Sequence, residues 1–348
     1  MSAGTALLGL ILIVLVAILV FTISPGIKNE LLGYISGISG SSTMPGGSTS
    51  VTTTASQQNA QEAQLVNYTL SLINNDRANY SLPPVSLSYE PSAQQHADSM
   101  FDYYYVSHWD IYGMKPYMRY TLLGGLGAVS ENIAFEQSST CFAAICSGNI
   151  NPRSALQQME YNFMYNDSSC CQNGHRDNIL NPYHNQVSIG IVYSSGRIYL
   201  VQDFIDNYTQ WNQNTPSYSK GEVYLSGNTT QYALSSVLVS YDAPVQNMTQ
   251  EQLNATFSYG YGTEIAGVVS NPLDYYQGLQ TVVADKYAQN GNSFDVSFNM
   301  DKLIRQYGAG EYTVMVWLNG TGTNSSFVGS TYTIFINQSL QQYVPQDI

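Results

Sequence analysis

The sequence predicts an α+β chain in three parts: an N-terminal apolar helix, a mixed helix–strand domain, and an all-β, Ig-like sandwich. Three observations predict it. Thr5–Ile23 is an apolar run without a charge. Apolar residues then recur at helical spacing over much of residues 62–165 and give way to strand alternation up to residue 211. Beyond residue 216 only alternation and turn residues remain.

The first run reads TALLGLILIVLVAILVFTI. Its 19 residues reach ~28 Å as a helix, about the thickness of a hydrocarbon core, so residues 5–23 are expected to be a transmembrane anchor. A cleaved secretory signal is the alternative, but Met1–Thr5 has no Lys or Arg, and the exit Phe21-Thr22-Ile23-Ser24-Pro25 offers no small-x-small site. Lys28, on the C-terminal side, weakly favours keeping the bulk of the chain inside. The N-x-S/T sequons at Asn67, Asn79, Asn166, Asn207, Asn228, Asn247, Asn254, Asn319, Asn324 and Asn337 argue for the outside, as do the cysteines. The expected location is therefore the extracellular face of the membrane, or the medium if the segment is cleaved. Residues 24–61 read as a stalk: no charge lies between Glu30 and Glu62, and Gly37–Ala60 is mostly Gly, Ser, Thr and Gln, with a random-coil reach of ~25–30 Å.

Composition narrows the function. Charged residues make up 10% of the 348, while 44% are hydrophobic, enough to build cores. With 24 acids, 11 bases and no basic cluster, nucleic-acid binding is excluded. So few charges also fit an acidic exterior, where carboxylates contribute little charge.

The mixed domain is expected over residues 62–211. Leu65/Val66, Leu70 and Ile73 mark a first helix, stopped by Pro83-Pro84. Ala93, Ala97, Met100, Phe101 and Tyr104 mark a second, opened by Pro91. Leu156, Met159 and Phe163 mark a third after Pro152. Val187–Tyr193 and Arg197–Ile205 form a hairpin through Ser194-Ser195-Gly196. In the β domain, residues 216–348, Tyr312–Leu318 and Thr331–Ile336 alternate as strands, and Asp301–Tyr307 reads as a helical turn. Turns are expected at Ser226-Gly227-Asn228, Gly260-Tyr261-Gly262, Asn290-Gly291-Asn292 and Asn319–Gly322.

All four histidines, His96, His108, His175 and His184, fall in the mixed domain. Glu160 sits on the edge of the third helix's apolar face, where a carboxylate either reaches solvent or needs a partner. His108 follows Ser107 in an aromatic loop, Glu131 opens Glu131-Asn132-Ile133-Ala134, and His175 opens His175-Arg176-Asp177-Asn178-Ile179-Leu180. His96 reads as a structural helix histidine and His184 as a turn residue. No H-E-x-x-H, G-x-S-x-G or phosphate-binding glycine loop is present, and no catalytic nucleophile is identifiable.

The order of these elements resembles one family. Ala97-Asp98-Ser99-Met100, Ser107-His108, Glu131-Asn132-Ile133-Ala134, Glu160, Gly174-His175-Arg176-Asp177-Asn178-Ile179-Leu180 and Ile189-Gly190-Ile191 together look like the CAP superfamily of SCP-domain proteins, over about residues 62–206. The form is similar to the bacterial and archaeal branch. The resemblance implies an α-β-α sandwich with a cleft lined by His108, Glu131, Glu160 and His175. Those four are candidate ligands for a divalent metal such as Zn²⁺, or they hydrogen-bond one another; acid would protonate the imidazoles and weaken metal binding. The chain departs from the family at Gln157, where a tryptophan usually precedes the glutamate.

Cys141, Cys146, Cys170 and Cys171 allow three pairings. The expected one joins Cys141 and Cys146 to Cys170 and Cys171, one each, because a Cys170–Cys171 bond closes a strained vicinal ring. The leading functional expectation is a membrane-tethered CAP module that binds a small ligand, lipid or metal, or contacts other envelope proteins or glycans. A metal-dependent hydrolase or protease with Glu131 or Glu160 as general base, and an envelope structural or adhesion protein, are the rivals.

Overall fold

A computed structural model of the chain describes residues 55–138, 141–142, 145–146, 148–321 and 325–336. The expected anchor and most of the expected stalk lie outside them. Among the described residues no helix is long and apolar enough to cross a membrane. The described residues belong to one compact unit, Thr54–Ile348.

The stalk ends sooner than expected: α1, Ala55–Asn79, begins inside it. Residues 55–61 contain neither Gly nor Pro, and their Ala and Gln residues favour a helix. After β1 (Ser86–Leu87) come α2 (Ser92–Tyr103) and α3 (Pro116–Leu122). Next are β2 (Ala128–Gln137) and the short hairpin β3 (Cys141–Phe142) and β4 (Ile145–Cys146). The helices α4 (Pro152–Tyr165), α5 (Ser168–Cys171) and α6 (Gly174–Ile179) precede β5 (Gln186–Tyr193) and β6 (Arg197–Asp206). Pro152 opens α4 at its first turn, and the Asn151 side chain caps it by accepting the Ser154 N–H.

The sheet runs β1-β5-β6-β2, and helices cover both faces. Alternate residues of β6 show this. Ile198, Leu200 and Phe204 pack with Ile73 of α1 and Leu156 and Met159 of α4. Tyr199 and Val201 pack with Ala93, Ala97 and Met100 of α2 on the other side. Gly190 in β5 is where α2 comes closest, since a Cβ there would collide with the Ala93 carbonyl. Arg77, near the end of α1, is wholly buried and donates to the carbonyls of Pro83, Ile179, Asn181 and His184. It thereby holds the loop after α6 in place.

The second half is built from β7 (Thr209–Trp211), β8 (Ser217–Ser219), β9 (Glu222–Thr229), β10 (Leu234–Asp242) and β11 (Thr263–Val269). It continues with β12 (Gln280–Val283), β13 (Lys286–Asn290), β14 (Ser293–Asn299), β15 (Gly310–Asn319) and β16 (Ser326–Ile336). These strands form two five-stranded sheets. One runs β12-β11-β10-β15-β16, and the other runs β13-β14-β9-β7 with β8 also on β9. The sheets enclose one core that includes Val223 and Leu225 of β9, Val237 and Val239 of β10, and Val314 and Val316 of β15.

The turn expected at Ser226-Gly227-Asn228 is instead the end of β9, paired with β14 and β7. Gly227 serves close packing there: a Cβ would press on the Gln210 carbonyl of β7. A short helix α7 (Gln250–Asn254), capped by Thr249, and α8 (Asp301–Tyr307) complete the fold.

The halves meet across α3, β2 and β16. Thr331 N donates to the Gly127 carbonyl and Ser330 Oγ to the Leu126 carbonyl. Asp242, at the end of β10, accepts from Lys115 Nζ at 2.6 Å and from the Tyr117 hydroxyl at 2.6 Å.

Candidate functional site

The strand β2 and the loop after α2 build one wall of a cleft. Glu131 lies in β2 with its side chain fully buried. Its Oε1 meets His108 Nδ1 at 2.8 Å, and its Oε2 accepts from Arg119 Nη2 at 2.8 Å. Arg119 is itself buried and uses Nη1 on the carbonyls of His108 and Met114, so one guanidinium fixes both the loop and the carboxylate. His96 Nε2 bonds the Ser107 carbonyl at 2.8 Å, which steadies the residue before His108.

The other wall comes from the α4–α6 turn. His175 Nδ1 meets Asp167 Oδ1 at 2.6 Å, and Asp167 Oδ2 accepts the backbone N–H groups of His175 and Arg176. The carboxylate thus caps α6 and holds the ring, which stacks on Phe163 with centroids 4.5 Å apart. Each histidine spends Nδ1 on its carboxylate, which leaves Nε2 as the ring nitrogen for other partners.

A third side comes from the second half of the chain. The Tyr259 hydroxyl accepts the Glu131 N–H at 2.8 Å, and its ring lies 4.9 Å from that of His108. Trp109 Nε1 donates to the Ser258 carbonyl, and Ser107 Oγ to that of Thr256. The cavity between these walls holds about 640 Å³ and is lined by His108, Glu131 and His175, with Asn132, Phe257 and Tyr259 among the others.

Of the four expected cleft residues, the structure brings three to this cavity. Glu160 is buried, with Oε2 accepting from Gln202 Nε2 at 2.7 Å and Oε1 without a partner among the described residues. The carboxylate that pairs with His175 is therefore Asp167, not Glu160. No three of His108, Glu131, Glu160 and His175 bring ligand atoms within 4.8 Å of one another, so this arrangement does not fit a four-residue metal site.

Electrostatics follow burial. Burial raises the Glu131 carboxyl to about 7, against the pull of Arg119. Burial raises Glu160 to about 8 and Asp203, the cross-strand partner of Glu131, to about 8. Burial, reinforced by Arg119, lowers His108 to about 3. The expectation that acid readily charges both imidazoles therefore fails for His108, which stays neutral through mildly acid pH. His175 is also lowered by burial, with Asp167 opposing.

The cysteine pairing differs from the expectation. Cys170 is bonded to Cys171, so neither is joined to the β3–β4 hairpin. In the backbone register of that hairpin Cys141 stands directly opposite Cys146. His184, expected in a turn, is also buried, its Nδ1 2.7 Å from Asp206 Oδ1.

Sequence reasoning missed Arg119, Asp203 and Tyr259. Arg119 carried one signal: it is one of only 11 bases and stands inside an apolar and aromatic stretch, residues 116–120, where a cation needs a carboxylate. Tyr259 carried none, because its partner is 128 positions away.

Residues 70–204 match the family model described as CAP, the cysteine-rich secretory protein family. Among solved structures, an extracellular protein containing a SCP domain from Bacillus anthracis is 21% identical, with a TM-score of 0.31. That match covers 44% of this chain and 43% of the other, so it spans less than half of that protein. The CAP domain of Enterococcal PrgA is 14% identical over 49% of this chain and 69% of its own, with a TM-score of 0.29. No curated protein matches the chain. Residues 70–204, which hold the helices, the sheet and the His108, Glu131 and His175 walls of the cleft, are therefore the part of the chain that matches a CAP domain.

Proposed function

We propose that the protein is an extracytoplasmic module that binds a small ligand in the CAP cleft, and that its second half completes the binding site. One observation carries this reading: two histidines, each fixed at Nδ1 by a carboxylate, face a cavity of about 640 Å³ whose remaining side includes Phe257 and Tyr259. Fixed imidazoles offer Nε2 as an acceptor, and the rings of Phe257 and Tyr259 offer apolar area. No side chain in this set is an activated nucleophile, which favours binding over acyl transfer.

Tethering by residues 5–23, the stalk and an Ig-like second half belong to the same proposal, supported by the sequence. The eight sequon asparagines among the described residues are all exposed, which supports an exported, glycosylated surface.

The test is native mass spectrometry of the ectodomain from its own membrane, with extraction for lipids and metal analysis. A small molecule retained by the wild type and lost from His108→Ala and Tyr259→Ala supports the reading. Retention unchanged in both variants, or an empty wild type, overturns it.

A further inference from the structure

We propose that Asp167, Cys170, Cys171 and His175 form a site for a thiophilic divalent cation such as Zn²⁺, opened when the Cys170–Cys171 bond is reduced. This does not rest on the ligand-binding reading, because the thiolates that define the site play no part in it.

The geometry comes from one tight reversal. The helix α5 ends at Cys171, and Gln172 and Asn173 then take left-handed conformations, with φ of 54° and 68°. The chain turns back and sets His175 beside the sulfurs. One ligand atom from each of the four residues lies within 4.8 Å of all the others. Among the described residues no other group of three or more His, Cys, Asp or Glu side chains does this.

The donor set selects the metal. Two thiolates, an imidazole and a carboxylate suit a tetrahedral Zn²⁺, whereas an all-oxygen set would suit Mg²⁺ or Ca²⁺. Access is open: Cys170 is exposed, and Cys171 and His175 are half-buried. Asp167, which is buried, already stands against the imidazole, with Oδ1 2.6 Å from His175 Nδ1.

The redox step is simple to balance. A dithiol reductant gives two electrons and two protons to the Cys170–Cys171 bond and closes its own disulfide. The cation then binds both sulfurs as their two thiol protons pass to buffer. In the oxidised protein the same sulfurs are bonded to each other, and the site lacks its thiolates.

The experiment uses the full chain and Co²⁺, whose bonds to thiolate absorb light strongly. After reduction and removal of the reductant, one Co²⁺ per chain is expected, with a thiolate charge-transfer band, and the oxidised chain should show none. The band should vanish in Cys170→Ser and Cys171→Ser and persist in Cys141→Ser/Cys146→Ser and in His108→Ala. Asp167→Asn should weaken binding roughly tenfold to a hundredfold. Because Asp167 also caps α6, circular dichroism of each variant accompanies the titration, and the exposed Cys170→Ser carries the decision. A folded, reduced wild type without the band, or an equal band in Cys170→Ser, overturns the proposal.

Discussion

At the scale of single residues, the chain hides its acids in unusual states. Burial raises Glu160 from 4.5 to about 8. Its folded value lies above its unfolded one, so the stability it contributes is complete below about 4.5 and is lost as pH rises through about 8. Glu160→Gln keeps an oxygen for Gln202 and removes the titration. The variant should match the wild type in denaturant melts at pH 4 and exceed it at pH 9 by a few kcal/mol, since each tenfold change in proton affinity is worth about 1.4 kcal/mol. Equal stability at both values would show that Glu160 titrates normally. Arg119 behaves differently, because it must stay charged to serve Glu131 and the His108 carbonyl. Arg119→Met strands a buried carboxylate and two carbonyls, so a loss of about 3–5 kcal/mol is expected in the same melts at pH 8. A loss below about 1 kcal/mol, the range of an exposed ion pair, would refute that account.

At the scale of elements, the contact between α2 and β5 is the least forgiving. A Cβ on Gly190 would overlap the Ala93 backbone carbonyl, and backbone cannot swing aside as a side chain does. Gly190→Ala should therefore cost about 3 kcal/mol, the upper end for overpacking, and lower the thermal midpoint accordingly. A midpoint unchanged within error would mean that α2 slides freely. This same packing made the first half legible. Helices α2 and α4 show one apolar stripe each, so local pattern and final burial agree there. Strands β5 and β6 were legible as a hairpin around a short turn, although helices on both faces bury β6 along its whole length. Helix α3 was not legible, because Pro116 to Tyr120 are all buried and leave no polar face to set a period. Ser226-Gly227-Asn228 looked like a turn because Gly and Asn favour turns, yet here Gly admits a neighbouring strand. The site was half legible for a related reason. His108, Glu131 and His175 sit in recognisable motifs, but Asp167 replaces Glu160 through a tight reversal only 8 positions long, and Tyr259 becomes the third wall through packing with a segment 128 positions away.

At the scale of the whole molecule, the two halves share polar contacts that neither can satisfy alone. Lys115 and Tyr117 from the first half converge on Asp242 of the second, with the Lys115 and Asp242 side chains only 9% and 14% exposed. Backbone groups of Gly127 and Thr331 pair across the same boundary, and Phe335 of β16 packs with Met114 and Tyr117. If the halves separated first, Lys115 and Asp242 would lose each other and the cleft would lose Tyr259 while most of each core remained. The contacts therefore predict one cooperative transition for residues 54–348, with tryptophan fluorescence and calorimetry giving the same midpoint. Asp242→Ala leaves the buried Lys115 without its carboxylate and Tyr117 with only the Gly260 carbonyl they already share, and a loss of about 3 kcal/mol is expected. At roughly 2–4 °C per kcal/mol, the single midpoint should fall by about 6–12 °C without splitting. Two resolved transitions in the wild type would show that the halves unfold independently, and the cleft would then be a surface one half can leave.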